Sequence, residues 1–362
     1  MHHVLTIVLT TIKKPLLKKL QYIGSMASKK SMNESFLASM KSTEVCSWFE
    51  LNVMRRTGFY LAWFANKLNI HPNTITILSM ILGAGSTYFF MSGSWYYGYG
   101  AQGDKMMGVV FNIIAIGMLF WADVLDNTDG QLARLSGKRS RIGRILDGVA
   151  GFVWMIPIYL GLAWRIYKHH SMEFGWFGIE DSPNRSLVYG LAVLALIFYS
   201  GFAGCGGQQR VSDYYMQVHL LFSKEANGTE LDRSEQQQQA YNQLPEDAKW
   251  WERLFMRNYI NYTKKQERTT PKLQKLLAKL EEKYGNVNNM PEDVRQKLHD
   301  YSLPIIHMDF TGFSYRALSL AFFVLIDFPL GHFLFESIVL GLGTLYTIKK
   351  HEAFCEKVTR EL

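Results

Sequence analysis

Cysteine is scarce in this 362-residue chain: Cys46, Cys205 and Cys355 are dispersed and odd in number. They suggest neither a disulfide framework nor a zinc site. The opening Met1-His-His-Val-Leu-Thr-Ile-Val-Leu is apolar but lacks a basic leader and a small-residue cleavage site, so it reads as a poor secretory signal. The net charge of +8 is not accompanied by any recognised nucleic-acid-binding pattern, and no nucleic acid is expected as a partner. The mean hydropathy of −0.04 also falls short of what a membrane protein would show, but that average conceals strong segregation.

Apolar runs occupy roughly 72–92, 106–125, 145–167, 186–206, 311–329 and 331–348. Each approaches the length of about 20 residues that a spanning helix needs. A polar stretch of about 100 residues separates the fourth from the fifth and dilutes the mean. The expected fold is therefore all-α and polytopic, with six transmembrane helices. Residues 45–70 mix aromatics with Arg55, Arg56 and Lys67 and read as an N-terminal amphipathic helix lying in the membrane interface.

Lysine and arginine set the orientation. Candidate outer segments around 93–105 and 168–185 carry only Lys105, Lys168 and Arg185. Arg134, Lys138, Arg139, Arg141 and Arg144 crowd one loop, with Lys13, Lys14, Lys18, Lys19, Lys29 and Lys30 before it and Lys349, Lys350, Lys357 and Arg360 at the end. Both termini and that loop are expected on the cytosolic side, and the basic charge suits anionic membrane lipids. The expected divisions are a cytosolic segment 1–71, whose first 44 residues are peripheral or mobile, and spans one to four over 72–206. A cytosolic helical insertion 207–310, spans five and six over 311–348 and a cytosolic tail 349–362 follow.

The chemistry concentrates in Asp126-Asn-Thr-Asp129-Gly130-Gln-Leu-Ala133-Arg134, followed by Gly143 and Asp147. On a helix, Asp126, Asp129, Gly130 and Ala133 fall at i, i+3, i+4 and i+7, which places two carboxylates one turn apart on one face. Gly130 and Ala133 leave that face nearly bare, so a ligand can lie against the backbone. Asp147 opens the next apolar run and can bring a third carboxylate to the same point. Three hard oxygen donors suit Mg²⁺ or Mn²⁺ carrying a phosphate-bearing substrate. An EF-hand also begins with acids and a glycine, but the residues after Gly130 do not supply its alternate ligands.

This order of residues resembles the CDP-alcohol phosphotransferase (phosphatidyltransferase) family, whose pattern runs D-x2-D-G-x2-A-R, about eight residues, then G-x3-D-x3-D. Asp126, Asp129, Gly130, Ala133, Arg134, Gly143 and Asp147 match, with eight residues between Arg134 and Gly143. The final Asp does not, because position 151 is Gly. The resemblance implies that Asp126, Asp129 and Asp147 bind metal, and that the residue missing at 151 would have helped hold the metal pair and served as general base. It also implies a CDP-linked donor, an alcohol or lipid-alcohol acceptor, Arg134 orienting phosphate, and a homodimer. The expected location is the membrane, in a bacterial inner (plasma) membrane, with the active site facing the cytosol.

Flanking positions add candidates. Pro72 suits a first helical turn, and Asn73 and Thr76, near a Pro-Asn that the family often carries, are placed to reach the nucleotide. Asp123, one turn before Asp126, would be costly unpaired and either joins the metal site or pairs with an Arg. Arg210 can meet a donor or acceptor phosphate at the interface, or be simply an interfacial Arg at a frayed helix end. Arg316 either lines an anionic pocket or snorkels, while Asp327 and Glu336 flank an outer turn. Two enzyme variants stay open, with the lipid on the donor or on the acceptor; by resemblance the Leu-Asp-Asn-x-Asp-Gly wording leans to the second. A different class, a catalytically impaired nucleotide- or lipid-binding scaffold, is motivated by Gly151 and the large insertion. A transporter is disfavoured, since no inverted repeat is evident.

Overall fold

The computed structural model describes residues 32–40, 42–100, 102–138, 140–179, 186–223, 231, 233–307 and 311–362. The lysines at 13–30 and the arginines at 139 and 185 that informed the orientation lie outside them. The described residues are helical and contain no strand, only an isolated bridge between Tyr99 and Asp104.

Helix α1 (Arg55–Lys67) is the expected amphipathic segment. Gly58, Phe59, Ala62 and Ala65 form its buried stripe, while Tyr60 and Phe64 face outward. Helix α2 (Pro72–Ser92) starts with Pro72 in the first turn and His71 Nδ1 accepting from Asn73 N at 3.2 Å. Helix α3 (Lys105–Ser136) is capped by Asp104, which accepts from Met107 N at 3.1 Å, and stops at Gly137, whose φ of 69° is a left-handed C-cap. Helix α4 (Arg141–Lys168) starts at Ser140, which accepts from Gly143 N at 2.9 Å. Helices α2 and α4 touch closely at Gly83, where a Cβ would sit 2.6 Å from Trp154 Cγ.

Short α5 (His170–Gly175) follows, then α6 (Ser186–Tyr199), a π-helical turn Ser200–Cys205 and α7 (Gly206–Phe222). The insertion contributes α8 (Ser234–Asn242), α9 (Trp250–Thr269), α10 (Pro271–Tyr284) and α11 (Glu292–His307). The chain closes with α12 (Phe313–Leu325), α13 (Pro329–Leu334), a π-helical turn Phe335–Leu340 and α14 (Gly341–Glu361).

Among the described residues, five helical stretches are long and apolar enough to cross a membrane: Pro72–Ser92, Lys105–Ser136, Leu146–Lys168, Leu187–Phe222 and Pro329–Glu361. Ile81, Ile113, Leu160, Leu191 and Leu342 are exposed on them, as side chains facing lipid would be. The protein is an integral membrane protein of all-α, polytopic build.

The expected fifth span corresponds to α12, which is shorter than 311–329. Its 13 residues reach about 20 Å against a bilayer core of about 30 Å. The helix stops early because Asp327 takes a left-handed φ of 59° and Pro329 starts the next helix. The divisions expected at 207 and 349 fall inside continuous helical stretches, Leu187–Phe222 and Pro329–Glu361. The reason lies in a second core. Tyr214, Tyr215 and Val218 of α7, Leu273, Leu276, Leu277 and Leu280 of α10, Leu298 of α11, and Phe354 and Val358 of α14 pack together. The C-terminal residues are therefore one wall of the insertion body. The other large cluster, with Phe90, Leu119, Trp154, Ile158, Val193 and Leu320, joins the spanning helices.

Candidate active site

Helix α3 is about 48 Å long at 1.5 Å per residue. That exceeds the apolar core of a bilayer, so its last turns, which carry the motif, have room to emerge at one end. The left-handed turn at Gly137 and the Ser140 cap reverse the chain, and α4 brings Asp147 back beside α3. One carboxylate oxygen each from Asp126, Asp129 and Asp147 lies within 4.8 Å of the others. Asp129 is buried, Asp126 half-buried and Asp147 exposed, so the trio grades from the helix interface outward.

Each flank is fitted to this arrangement. The Thr76 hydroxyl, buried on α2, donates to Asp129 Oδ2. A Cβ at Gly143 would stand 2.9 Å from Asn73 Oδ1 and 3.0 Å from Ser140 Oγ, so the glycine permits α2 and α4 to meet there. Gly130 and Ala133 are half-buried. A Cβ at Gly130 would meet the Arg134 guanidinium at 3.4 Å, which places that cation over the bare surface. Arg134 Nε donates to the carbonyl of Ser39, so the segment before α1 holds the arginine from behind. Helix α1 backs α3 on the side away from the motif face, through Ala62 and Ala65 against Leu132, and Gln131 Nε2 donates to Arg55 O at 3.0 Å.

The donor set fits a hard divalent cation. Three carboxylates crowd together, and Asp126 Oδ1 is buried without a hydrogen-bond partner. A buried carboxylate oxygen left without a donor is costly unless a cation completes it.

Residues 69–179 match the family model of CDP-alcohol phosphatidyltransferase. The CDP-alcohol phosphatidyltransferase match takes in α2, α3, α4 and the acidic trio, and leaves the insertion and the C-terminal helices outside it. The matched family carries out phosphotransfer from CDP-alcohols in lipid synthesis and generally depends on divalent metal. No curated protein and no solved structure matches the chain.

Other sequence candidates fall elsewhere. Asp123 is outside the trio and accepts from Asn127 Nδ2 at 3.3 Å, while Arg55, whose charge acts on it, pairs with Glu50 at 2.6 Å. Gly151 faces open space, with nothing within 4 Å of a Cβ built there. Arg210 packs against the insertion, its carbonyl accepting from Gln266 Nε2 at 3.1 Å. Arg316 neither snorkels nor lines an open pocket. It is fully buried, pairs with Glu336 and donates to Gln208 Oε1 at 2.6 Å. Glu336 in turn accepts from Tyr159 Oη at 2.7 Å. Glu336 is thus an interior partner, whereas Asp327 lies at the turn between α12 and α13. Sequence reasoning missed Ser140, whose place three residues before Gly143 is an ordinary N-cap signal. It also missed Phe255 of α9, whose ring would lie 4.0 Å from a Cβ at Gly148 and brings the insertion beside Asp147.

Proposed function

We propose that this protein is a membrane-embedded transferase that moves a substituted phosphate from a CDP-linked donor to an alcohol and releases CMP. The observation that carries this reading is the convergence of Asp126, Asp129 and Asp147 beside the bare surface of Gly130 and Ala133. The alcohol oxygen forms its bond to the phosphorus of the donor's β-phosphate and releases its hydroxyl proton to solvent, position 151 offering no carboxylate to take it. The bond from that phosphorus to the bridging oxygen breaks, and its electron pair leaves on CMP. Asp126, Asp129 and Asp147 would hold Mg²⁺ or Mn²⁺, which supplies positive charge for the pyrophosphate and the departing CMP.

The chain's own residues do the positioning. Thr76 orients Asp129, and Asn73 and Gly143 set the approach of α2 to α4. Gly130 and Ala133 admit the nucleotide, and Arg134 offers its guanidinium to phosphate. Arrangement at a helix end emerging from the apolar core lets a lipid and a soluble headgroup meet. The same proposal places the site on the cytosolic face of a bacterial inner membrane and the protein in a homodimer. It keeps both substrate variants, lipid on the donor or on the acceptor.

One observation favours a second reading. Gly151 supplies no proton acceptor where the family pattern has Asp, and a general base is typically worth about 10²–10⁴-fold. A catalytically impaired member that binds nucleotide or lipid as a scaffold fits that loss. The deciding experiment is metal-dependent CMP release by the purified full chain in lipid, with a panel of CDP donors and with lipid and polyol acceptors. Release abolished by Asp129→Asn supports the transferase, and the productive donor separates the two variants. CDP binding without release, with turnover gained in Gly151→Asp, supports the scaffold.

A further inference from the structure

A second cluster of donors lies away from the acidic motif and comes from three distant parts of the chain. Glu44 sits in the turn before α1, His219 near the end of α7, and His299 on α11. One donor atom from each lies within 4.8 Å of the others. Glu44 Oε2 is 3.1 Å from His299 Nε2 and 3.5 Å from His219 Nε2. Zinc bonds of about 2.0–2.2 Å in tetrahedral geometry place neighbouring donors about 3.3 Å apart, which these separations bracket.

Hydrogen bonds behind the rings sharpen the point. His299 Nδ1 lies 3.1 Å from Asp300 Oδ1, so its proton belongs on Nδ1. His219 Nδ1 lies 2.7 Å from Ser302 Oγ, and that hydroxyl donates to His299 O at 3.1 Å. Ser302 has spent its proton and accepts from His219 Nδ1–H. Both imidazoles therefore place Nε2 beside the Glu44 carboxylate, where each could serve a cation as a ligand once that nitrogen carries no proton. His219 is fully buried, and its Nε2 has no hydrogen-bond partner. The buried, unpartnered Nε2 of His219, 3.5 Å from a carboxylate oxygen, is unfavourable until a cation sits between them. A histidine whose far nitrogen is held by a carboxylate or hydroxyl is the usual outer support of a metal ligand.

We propose that Glu44, His219 and His299 form a divalent transition-metal site, of the zinc class, that clamps the segment before α1 to the insertion body. Two imidazoles and one carboxylate suit Zn²⁺ over Mg²⁺, which prefers oxygen donors. The donors are too scattered for any spacing motif, and none is a cysteine. The clamp reaches toward the acidic motif. Glu44 is five residues from Ser39, whose carbonyl holds Arg134, and Phe36 and Met40 pack on Phe59 of α1. Further bonds already tether this turn, with His307 Nε2 at 3.0 Å from Glu44 O and Ser223 Oγ donating to Glu44 Oε2 at 3.0 Å. The buried trio His351, Glu352 and Cys355 is weaker, because both Glu352 oxygens already accept backbone N–H bonds, from Lys272 at 2.7 Å and Leu273 at 3.3 Å.

The test uses the full chain in detergent, stripped by chelator and reloaded with Zn²⁺ in excess Mg²⁺, in an Asp126→Asn/Asp129→Asn background that disables the acidic trio. One retained Zn²⁺ per chain is expected, and Co²⁺ in its place should give the visible absorption of a tetrahedral site. Glu44→Gln and His299→Gln should abolish retention, and Ser302→Ala, which removes no ligand, should weaken it by about 10–100-fold. Folded protein that retains neither Zn²⁺ nor Co²⁺ overturns the proposal, and so does unchanged retention in the ligand variants. The reloading of the histidine-intact protein decides the matter even where a variant does not fold.

Discussion

Arg165 and Asp327 lie 162 positions apart and form an ion pair with 1% and 4% of their side chains exposed. Arg165 also donates to Asn112 Oδ1 at 2.9 Å and to Phe90 O at 3.0 Å, while Asp327 accepts from Ser94 Oγ at 2.5 Å and Tyr96 N at 3.0 Å. One pair thereby ties α2, α3, α4 and the α12–α13 turn together, at the end of α4 opposite Asp147. It also accounts for the left-handed backbone at Asp327, a conformation that a short polar side chain tolerates.

Removing one partner leaves the other charge buried. Arg165→Met or Asp327→Ala should each destabilise the protein by about 3–5 kcal/mol. The double change Arg165→Met/Asp327→Asn should recover much of that, because Asn accepts the positive φ and no charge is stranded. Thermal unfolding in detergent reads the three. A double variant as unstable as the singles would show that the pair is not the source of the effect.

A glycine requirement separates two positions eight residues apart on α4. Gly143→Ala forces its methyl against Asn73 Oδ1 and Ser140 Oγ and disturbs the helix cap, which is worth about 0.5–2 kcal/mol. CMP release should fall about tenfold, since misplacement of reacting groups by about 1 Å can cost 10²-fold. Gly151→Ala enters open space, so it should raise stability by up to about 1 kcal/mol, helix positions preferring Ala to Gly, and leave release within about twofold.

Glu173 on α5 lies outside the spanning helices. Burial pushes its carboxyl up to about 8, against the opposing pull of the Leu330 N–H and Arg165. The folded state then keeps a proton that the unfolded chain releases near the ordinary value of about 4.3. Stability is greatest below that value and falls by about 1.4 kcal/mol per pH unit as pH rises toward about 8, where the decline ends. Glu173→Gln should remove this slope, gaining on the unsubstituted protein as the pH rises. Parallel unfolding curves for the two across that window would contradict the assignment.

Much of the fold was legible because bilayer-length apolar runs leave a chain few options. The first three spans correspond closely to helices, and the acidic trio meets because D-x2-D-G and G-x3-D sit on helices joined by one tight reversal. What escaped had non-local causes. The stop at Leu325 depends on Asp327 reaching Arg165. Residues 349–362 look like a polar tail, yet Phe354 and Val358 complete a core with α10, which no local pattern reveals. Arg165 carries the same signal as Arg316, since an arginine within an apolar run is costly and calls for a buried partner. Arg316 proved to be internal glue because its partner Glu336 comes from another helix.

Thr76 tests whether the sequence reading of its role or the structural one is right. The sequence places it where it can reach the nucleotide, whereas its hydroxyl donates to Asp129 Oδ2 from a buried position on a different helix. Thr76→Val keeps the shape and removes the donor. If the hydroxyl orients a metal-binding carboxylate, the Mg²⁺ concentration for half-maximal CMP release should rise by about 10–100-fold, the usual effect of losing an outer partner of a metal ligand. The rate at saturating metal should change much less. If the hydroxyl instead contacts the nucleotide, KM for the CDP donor should rise while the metal dependence stays put. The structure favours the first outcome, because a hydroxyl spent on Asp129 has no proton left for a phosphate.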